Sequence, residues 1–191
     1  MNIIEITRGA FMNNFWEYYL LLEKDFINTL NYVELSEKNF TTYSKEYIKL
    51  YQTICSEMDV IFKLVCGFDT NAYKKITNYS TELLREFGDI VNVKIDVRRT
   101  NIILQPFMGW KPEESIDWWT GYNKIKHNRI INIEQANLRN VLNSLSALYL
   151  LEKYLFRKQN FEPDSPEVES SLFKIQDWKV ELMHIAGDVW V

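Results

Sequence analysis

The chain has 191 residues, enough for one compact domain to bury a substantial core without disulfides or metals. Hydrophobic residues make up 47% and charged residues 25%, which is a globular composition, and the formal net charge is −4. No whole-molecule field therefore attracts nucleic acid or an anionic membrane, so polyanion binding needs a local basic patch. The apolar runs fall well below the roughly 18 residues of a membrane span, and we expect a cytoplasmic protein with no membrane partner.

Apolar residues at helical spacing predict two long helices at the start of the chain. The second helix is expected from Ser44, as its N-cap, to Val65, and Gly67 should end it in the left-handed conformation. Cys55 and Cys66 lie about three turns apart on this helix, too far for a disulfide, so we interpret them as free thiols in the core. The first helix runs from about residue 9 to 34 and carries one apolar stripe: Met12, Phe15, Tyr19, Leu22, Phe26, Leu30 and Val33.

A shorter third helix is predicted next, from a cap at Asp69 or Thr70 to a stop at Gly88. The adjacent Lys74 and Lys75 are interpreted as part of its solvated face. No function is expected of this lysine pair.

The period of the pattern changes from helical to alternating after this helix. Apolar and polar residues alternate from Val91 to Val97, and a β-rich run from Ile102 to Leu104 comes after Arg98, Arg99 and Thr100. This pattern predicts a β-hairpin.

Two more helices are predicted in the second half. Pro112 suits the first turn of a fourth helix from about residue 113 to 127. Asn132 is expected to cap a fifth, whose buried stripe runs from Leu138 to Leu155. We therefore predict a mainly α fold in a single domain over residues 1–191. It would be a bundle of about five helices with a short β-hairpin insertion and a C-terminal extension from about residue 160.

The most unusual local composition is DWWTGYNKIKHNR, residues 117–129. On a helix, its side chains separate into three faces. These are Thr120, Asn123, Lys124 and His127; Trp118, Tyr122 and Ile125; and Trp119 and Lys126. Aromatic packing thus borders a polar cluster.

Within this stretch, His127 is the natural acid or base, because imidazole exchanges protons near neutral pH. The alternative is structural. A histidine near a helix C-terminus can serve the exposed carbonyls, aided by Lys126 and Arg129. Glu57 and Asp59 on the second helix are candidate carboxylates to orient the imidazole, or else ordinary solvated acids.

This stretch and the helix after it resemble the HEPN-type helical proteins. The resemblance lies in the order of Trp118-Trp119, Tyr122-Asn123 and the run from Lys126 to Arg129, followed by a long Ala/Leu-rich helix. Residues 54–59 resemble small bacterial and phage-borne members of that kind. The resemblance implies a helical bundle, often dimeric. Active members are metal-independent ribonucleases of toxin–antitoxin, abortive-infection and antiphage systems, and other members are non-catalytic RNA-binding or interaction domains. Of their signature, an arginine four to six residues before a histidine, only His127 is present, since residues 121–123 are Gly, Tyr and Asn.

Three functions follow as hypotheses. The first is a non-catalytic HEPN-like interaction domain tied to defence or toxin–antitoxin systems. The second is a metal-independent RNA-binding protein or endoribonuclease using His127. The third is a small-molecule pocket between helices. For the RNA-binding or endoribonuclease hypothesis, the resemblance and the helical faces suggest one set of residues that contact RNA and one set that supports them. RNA or phosphate would contact Asn123, Lys124, Lys126 and Arg129, supported by Glu57, Asp59, Trp118, Trp119 and Tyr122.

The expected partners are a second copy of the chain, in a homodimer, and RNA or another protein, without DNA, metal or cofactor. Self-association is favoured by the 15% aromatic content and by a chain end at Trp190 and Val191. His184 has no companion groups in the sequence and is interpreted as structural.

Overall fold

The computed structural model describes residues 5–162 and 165–178, so His184, Trp190 and Val191 lie outside the described residues. Within these ranges the predicted mainly α fold with a short β insertion is confirmed. Its helices are α1 (Arg8–Phe11), α2 (Glu17–Thr29), α3 (Lys45–Cys66), α4 (Ile76–Glu86), α5 (Asp117–Asn128) and α6 (Leu138–Lys158). A π-helical stretch, Met12–Trp16, joins α1 and α2 into one continuous helix.

The two longest helices, α3 and α6, run parallel through the centre of the bundle. At their beginnings, the Leu138 N–H donates to the Thr42 carbonyl at 2.9 Å. At their ends, the Lys158 ammonium donates to the Val65 carbonyl at 2.7 Å. Every side chain from Ser144 to Phe156 is buried, so α6 is enclosed on all sides by the other elements. The core therefore forms around α6.

The predicted hairpin is confirmed as β1 (Ile95–Val97) paired antiparallel with β2 (Ile103–Leu104). The first strand is shorter than expected, because residues 88–92 form a 3-10 turn instead. A third strand, β3 (Phe173–Ile175), pairs antiparallel with the other edge of β1, giving the order β2-β1-β3.

Both predicted ends of α3 are confirmed. The Ser44 hydroxyl accepts from the Tyr47 N–H at 3.0 Å, which satisfies one otherwise orphan donor of the first turn. Gly67 closes the helix with φ of 67°, a conformation that costs a residue without Cβ little. Cys55 and Cys66 are free and buried on this helix, as predicted.

Other predicted helix ends were wrong. The first helix ends at Thr29, and α4 begins at Ile76, because the Asp69 carboxylate instead accepts the Asn71 N–H at 2.8 Å in a local turn. Pro112 lies in the loop before α5, which begins at Asp117.

The predicted cap of α6 was also wrong. Asn137, not Asn132, caps this helix by accepting the Asn140 N–H at 3.0 Å. The Asn132 amide donates instead to the Asn128 carbonyl at 2.7 Å and so serves the end of α5.

The described part of the predicted C-terminal extension, residues 165–178, packs against the bundle, and we call it the strap. The Trp16 indole donates to the Val168 carbonyl at 2.7 Å, and the Lys153 ammonium pairs with Glu169 at 3.0 Å. The Arg98 guanidinium donates to the Ser170 and Phe173 carbonyls at 3.1 and 2.9 Å. Helices and hairpin thus both hold the strap.

Gly121 allows α5 to approach the central helices closely. A Cβ at this position would lie 2.9 Å from the Tyr51 hydroxyl and 3.1 Å from the Asn140 amide nitrogen, both inside the van der Waals limit. Alanine improves helix propensity by about 1 kcal/mol over glycine, but overpacking a buried contact costs about 1–3 kcal/mol. We therefore expect Gly121→Ala to lower the free energy of unfolding in urea titrations.

The matched control is Gly9→Ala in α1, where a Cβ would meet nothing within 4 Å. This variant is expected to keep or slightly raise stability, because only the propensity gain applies. Equal stabilisation by both substitutions would contradict the close approach at Gly121.

Candidate nucleic-acid interface

A groove with a cavity volume of about 720 Å³ lies between α3, α5 and the start of α4, and we call it the basic groove. From α3 it is lined by Ser56, Asp59 and Lys63, from the start of α4 and the segment before it by Tyr73, Lys74, Lys75, Ile76 and Thr77, and from α5 by Trp119, Tyr122, Asn123, Lys126 and His127. The spacing of three and four residues on α5 places its five side chains on one side of the helix.

The α5 side of the basic groove includes two buried aromatic rings. Trp119 and Tyr122 pack edge to face with centroids 5.3 Å apart, and Trp119 also packs against Phe62 of α3 at 5.9 Å. These contacts hold this wall of the groove in place. Tyr73 contributes a ring that is 85% exposed.

Asp59 is the one carboxylate among the lining residues, and its oxygens already have partners. One oxygen lies 2.8 Å from the Lys63 ammonium, and the other accepts from the Tyr79 hydroxyl at 2.7 Å. Burial and this hydrogen bond raise the pKa of Tyr79, so the phenol stays protonated and keeps donating. The charge of Asp59 is therefore compensated by Lys63.

The remaining three lysines of the groove have no acidic partner within the described residues. Lys74 lies over the Phe68 ring at 4.3 Å, and Lys126 lies 5.6 Å from the centroid of Tyr122. Lys75 is exposed. Lysines held by apolar and aromatic contacts leave their positive charges available to an anionic ligand.

The first turn of α4 adds to this positive field. Ile76 and Thr77 open the helix, and the turn contains no acidic residue. Lys75, at the N-cap, has no side-chain acceptor to offer. Its N–H donates to the Asn78 side chain at 3.0 Å, and its carbonyl accepts from the Asn78 and Tyr79 N–H groups, which leaves the N–H groups of Ile76 and Thr77. The orphan N–H groups and the positive dipole end of α4 are thus next to the three lysines.

The structure brings Asn123, Lys126 and His127 together in the basic groove. His127 is exposed, and its imidazole forms no hydrogen bond within the described residues. It also borders a shallow depression on the other side of α5, and Lys124 lines that depression only. Arg129 is exposed at the C-cap of α5 and lines neither cavity.

Two other predicted residues also lie outside the groove. Trp118 is buried, and its indole donates to the Pro106 carbonyl at 2.7 Å, which anchors α5 to the preceding loop. Glu57 does not line the groove either, and its charge acts on Glu152 of α6. Burial raises the pKa of Glu57 to about 7.

The sequence analysis missed the wall opposite α5. Lys74 and Lys75 were expected on a solvated helix face, whereas they lie just before α4 and line the groove with Tyr73. The local signal was a pair of lysines preceding a helix start that has no acidic residue in its first turn.

No group of three or more His, Cys, Asp or Glu side chains suited to a metal ion occurs in residues 5–162 and 165–178. None of the helices in those ranges combines the length and the apolarity needed to cross a bilayer. Comparisons of the chain with protein-family models, curated proteins and solved structures found no match. Function must therefore be inferred from the geometry of the groove.

Proposed function

We propose that this protein binds RNA through the basic groove without cleaving it, as a non-catalytic interaction domain. The observation that carries the proposal is the set of three lysines, Lys74, Lys75 and Lys126, which face one groove from two elements and have no acidic partner in the described part of the chain. Phosphate contacts of this kind supply most of the affinity of nucleic-acid binding. The HEPN resemblance independently favours RNA over DNA.

The charge distribution favours this site. The whole chain carries −4, so a polyanion is repelled by most of the surface and attracted only where cations cluster. Lysine ammoniums bind phosphate as point charges without a fixed geometry, which suits a flexible backbone. Tyr73 and Asn123 offer a stacking surface and an amide for the bases.

Cleavage is not proposed because no described side chain is hydrogen-bonded to the imidazole of His127 as a catalytic partner. Metal-independent cleavage at a phosphate needs one group to take a proton, and another to stabilise charge or protonate the leaving oxygen. His127 supplies one. The described residues that line the groove include no arginine, and its lysines are point charges without a fixed bidentate geometry. Asp59 is bonded to Lys63 and Tyr79 rather than to the imidazole.

Alanine substitution of Lys75 or Lys126 is expected to weaken RNA binding several-fold. Each substitution should also lower the slope of log affinity against log salt by about 1, because one phosphate contact and its counterion release are lost. Fluorescence anisotropy of a labelled oligoribonucleotide between about 50 and 200 mM salt measures both quantities. Lys24→Ala, at an exposed lysine on α2 outside the groove, is the control and should change neither.

Incubation of the same RNA with wild-type protein and EDTA tests cleavage. If the wild type cuts RNA and His127→Ala abolishes the products without changing the melting temperature, the endoribonuclease hypothesis replaces this proposal. Wild-type protein that neither binds nor cuts RNA would contradict both the RNA-binding proposal and the endoribonuclease hypothesis.

A further inference from the structure

The loop from α5 to α6 exposes two adjacent isoleucines. Ile130 is 92% exposed and Ile131 is 69% exposed. With Arg129 they form what we call the tip. Residues 118–133 contain three cations, Lys124, Lys126 and Arg129, and no Asp or Glu, in a chain of 26 acidic residues. The tip is therefore both apolar and cationic, which is unusual for an idle surface loop.

A second cavity, of about 480 Å³, lies between the end of α2 and the start of α3, and we call it the acidic pocket. Tyr32, Val33 and Tyr47 give it an apolar lining, and Tyr32 is 90% exposed. Asp25, Glu46 and Lys49 also line it, so two carboxylates face one ammonium. Glu46 pairs with Lys49 at 2.7 Å, whereas Asp25 forms no ion pair in the described part of the chain.

The acidic pocket also contains an unsatisfied hydroxyl. Tyr47 is 1% exposed, and its hydroxyl makes no hydrogen bond within the described residues. Thr29 lines the same cavity, but its hydroxyl donates to the Phe26 carbonyl at 2.6 Å.

The tip and the acidic pocket lie at the same end of the bundle. Ser44, the N-cap of α3, lines the pocket, and Tyr43 beside it forms a β-bridge with Asn137, the N-cap of α6. The tip belongs to the loop that leads into Asn137. Features on one end of a molecule can meet their counterparts reciprocally when two copies face each other.

We infer that the tip of one copy inserts into the acidic pocket of a second copy, reciprocally, to form a twofold dimer. Ile130 and Ile131 would pack on Tyr32 and Val33, and Arg129 would pair with Asp25. An anionic lipid surface or an acidic peptide would complement the tip alone and leave the acidic pocket empty. A second copy accounts for both surfaces and for the sign of their charges.

Exchanging charges between the two surfaces tests the inference. The wild type should be dimeric when light scattering is measured at about 100 µM. This high concentration is chosen because a contact of small area binds weakly. Arg129→Asp and Asp25→Arg alone should each weaken association at least about 10-fold, because each places like charges together. Both substitutions in one chain should restore it. Met108→Ser, at a 69% exposed methionine in another loop, is the control and should stay dimeric.

A mixing experiment tests the two surfaces separately. Ile130→Asp disables only the tip and Asp25→Arg only the acidic pocket, so each alone should be monomeric, whereas an equimolar mixture regains one of the two contacts. Unchanged melting temperatures would show that the variants are folded. Monomeric wild type, a dimeric Ile130→Asp variant or a mixture that does not pair would each overturn the inference. Wild type that binds phosphatidylserine vesicles without self-associating would also overturn it, by assigning the tip to a lipid surface.

Discussion

Glu23→Ala is expected to lower the free energy of unfolding by about 2–4 kcal/mol, because it removes a buried carboxylate that several donors need. Glu23 is 2% exposed and accepts from the Tyr19 hydroxyl at 2.5 Å and from the Ser171 N–H and hydroxyl at 2.8 and 2.7 Å. The Ser170 hydroxyl donates to it as well. Burial, and then the charge of Glu23, raises the pKa of Tyr19, so its phenol remains a donor. Alanine would remove the carboxylate acceptor from the buried Tyr19 and Ser170 hydroxyls and release Ser171 of the strap from α2.

Urea unfolding followed by tryptophan fluorescence and by circular dichroism measures the loss. Glu17→Ala, on the exposed face of the same helix, is the control and should change stability by less than about 0.5 kcal/mol. Because Glu23 joins α2 to the strap, the variant should also expose residues 165–178 to proteolysis. A Glu23→Ala protein as stable as the control would show that the strap does not fold cooperatively with the bundle.

The long helices could be predicted because their signals are local. The stripe of α3 lies between a serine that caps it and a glycine that closes it, and both act on their own turn. The choice of cap for α6 could not be made locally. Asn132 and Asn137 are equally good capping residues, and the β-bridge between Asn137 and Tyr43 is the kind of distant contact that distinguishes them.

Contacts between residues far apart in the sequence also explain why β3 and the α4 side of the groove were not predicted. β3 has three residues, too few for a periodic signal, and it exists because β1 presents a free edge to it. Helical spacing was enough to group Asn123 with His127, whereas it put Lys126 on another face of α5, although all three line the groove. The start of α4 faces them because α4 packs on α3, where Tyr79 stacks on Phe62 with centroids 4.9 Å apart and donates to Asp59. A sequence pattern does not contain that packing.

Glu152→Met is expected to raise the free energy of unfolding by about 1–3 kcal/mol near neutral pH. Glu152 lies on α6 with 0% exposure, and neither carboxyl oxygen has a hydrogen-bond partner within the described residues. Burial, and then the charge of Glu57, raises its pKa well above that of a free glutamate. Methionine keeps a similar volume and removes the desolvated polar group, so the packing of α6 is retained.

The same substitution should remove part of the pH dependence of stability. A carboxyl whose pKa is raised by folding stays protonated in the folded state while the unfolded chain loses its proton. The stability it contributes is therefore present below its unfolded pKa, near 4.3, and is lost as pH rises toward its folded pKa. Glu57, with a folded pKa of about 7, places part of this loss between about pH 4.5 and 7, and the raised pKa of Glu152 adds a loss of the same sign.

Carboxyls with a lowered pKa give stability the opposite pH dependence. The informative quantity is therefore the difference in free energy of unfolding between wild type and Glu152→Met. Burial alone would raise the pKa of Glu169, but hydrogen bonds from Ser165 and Lys153 lower it overall, and its contribution is lost as pH falls. Urea titrations of wild type and Glu152→Met between about pH 5 and 8 cancel this shared term. The advantage of the variant should grow with pH across that range. An advantage that shrinks with pH would mean that Glu152 is ionised and paired in the folded protein, and that its burial is compensated by a partner.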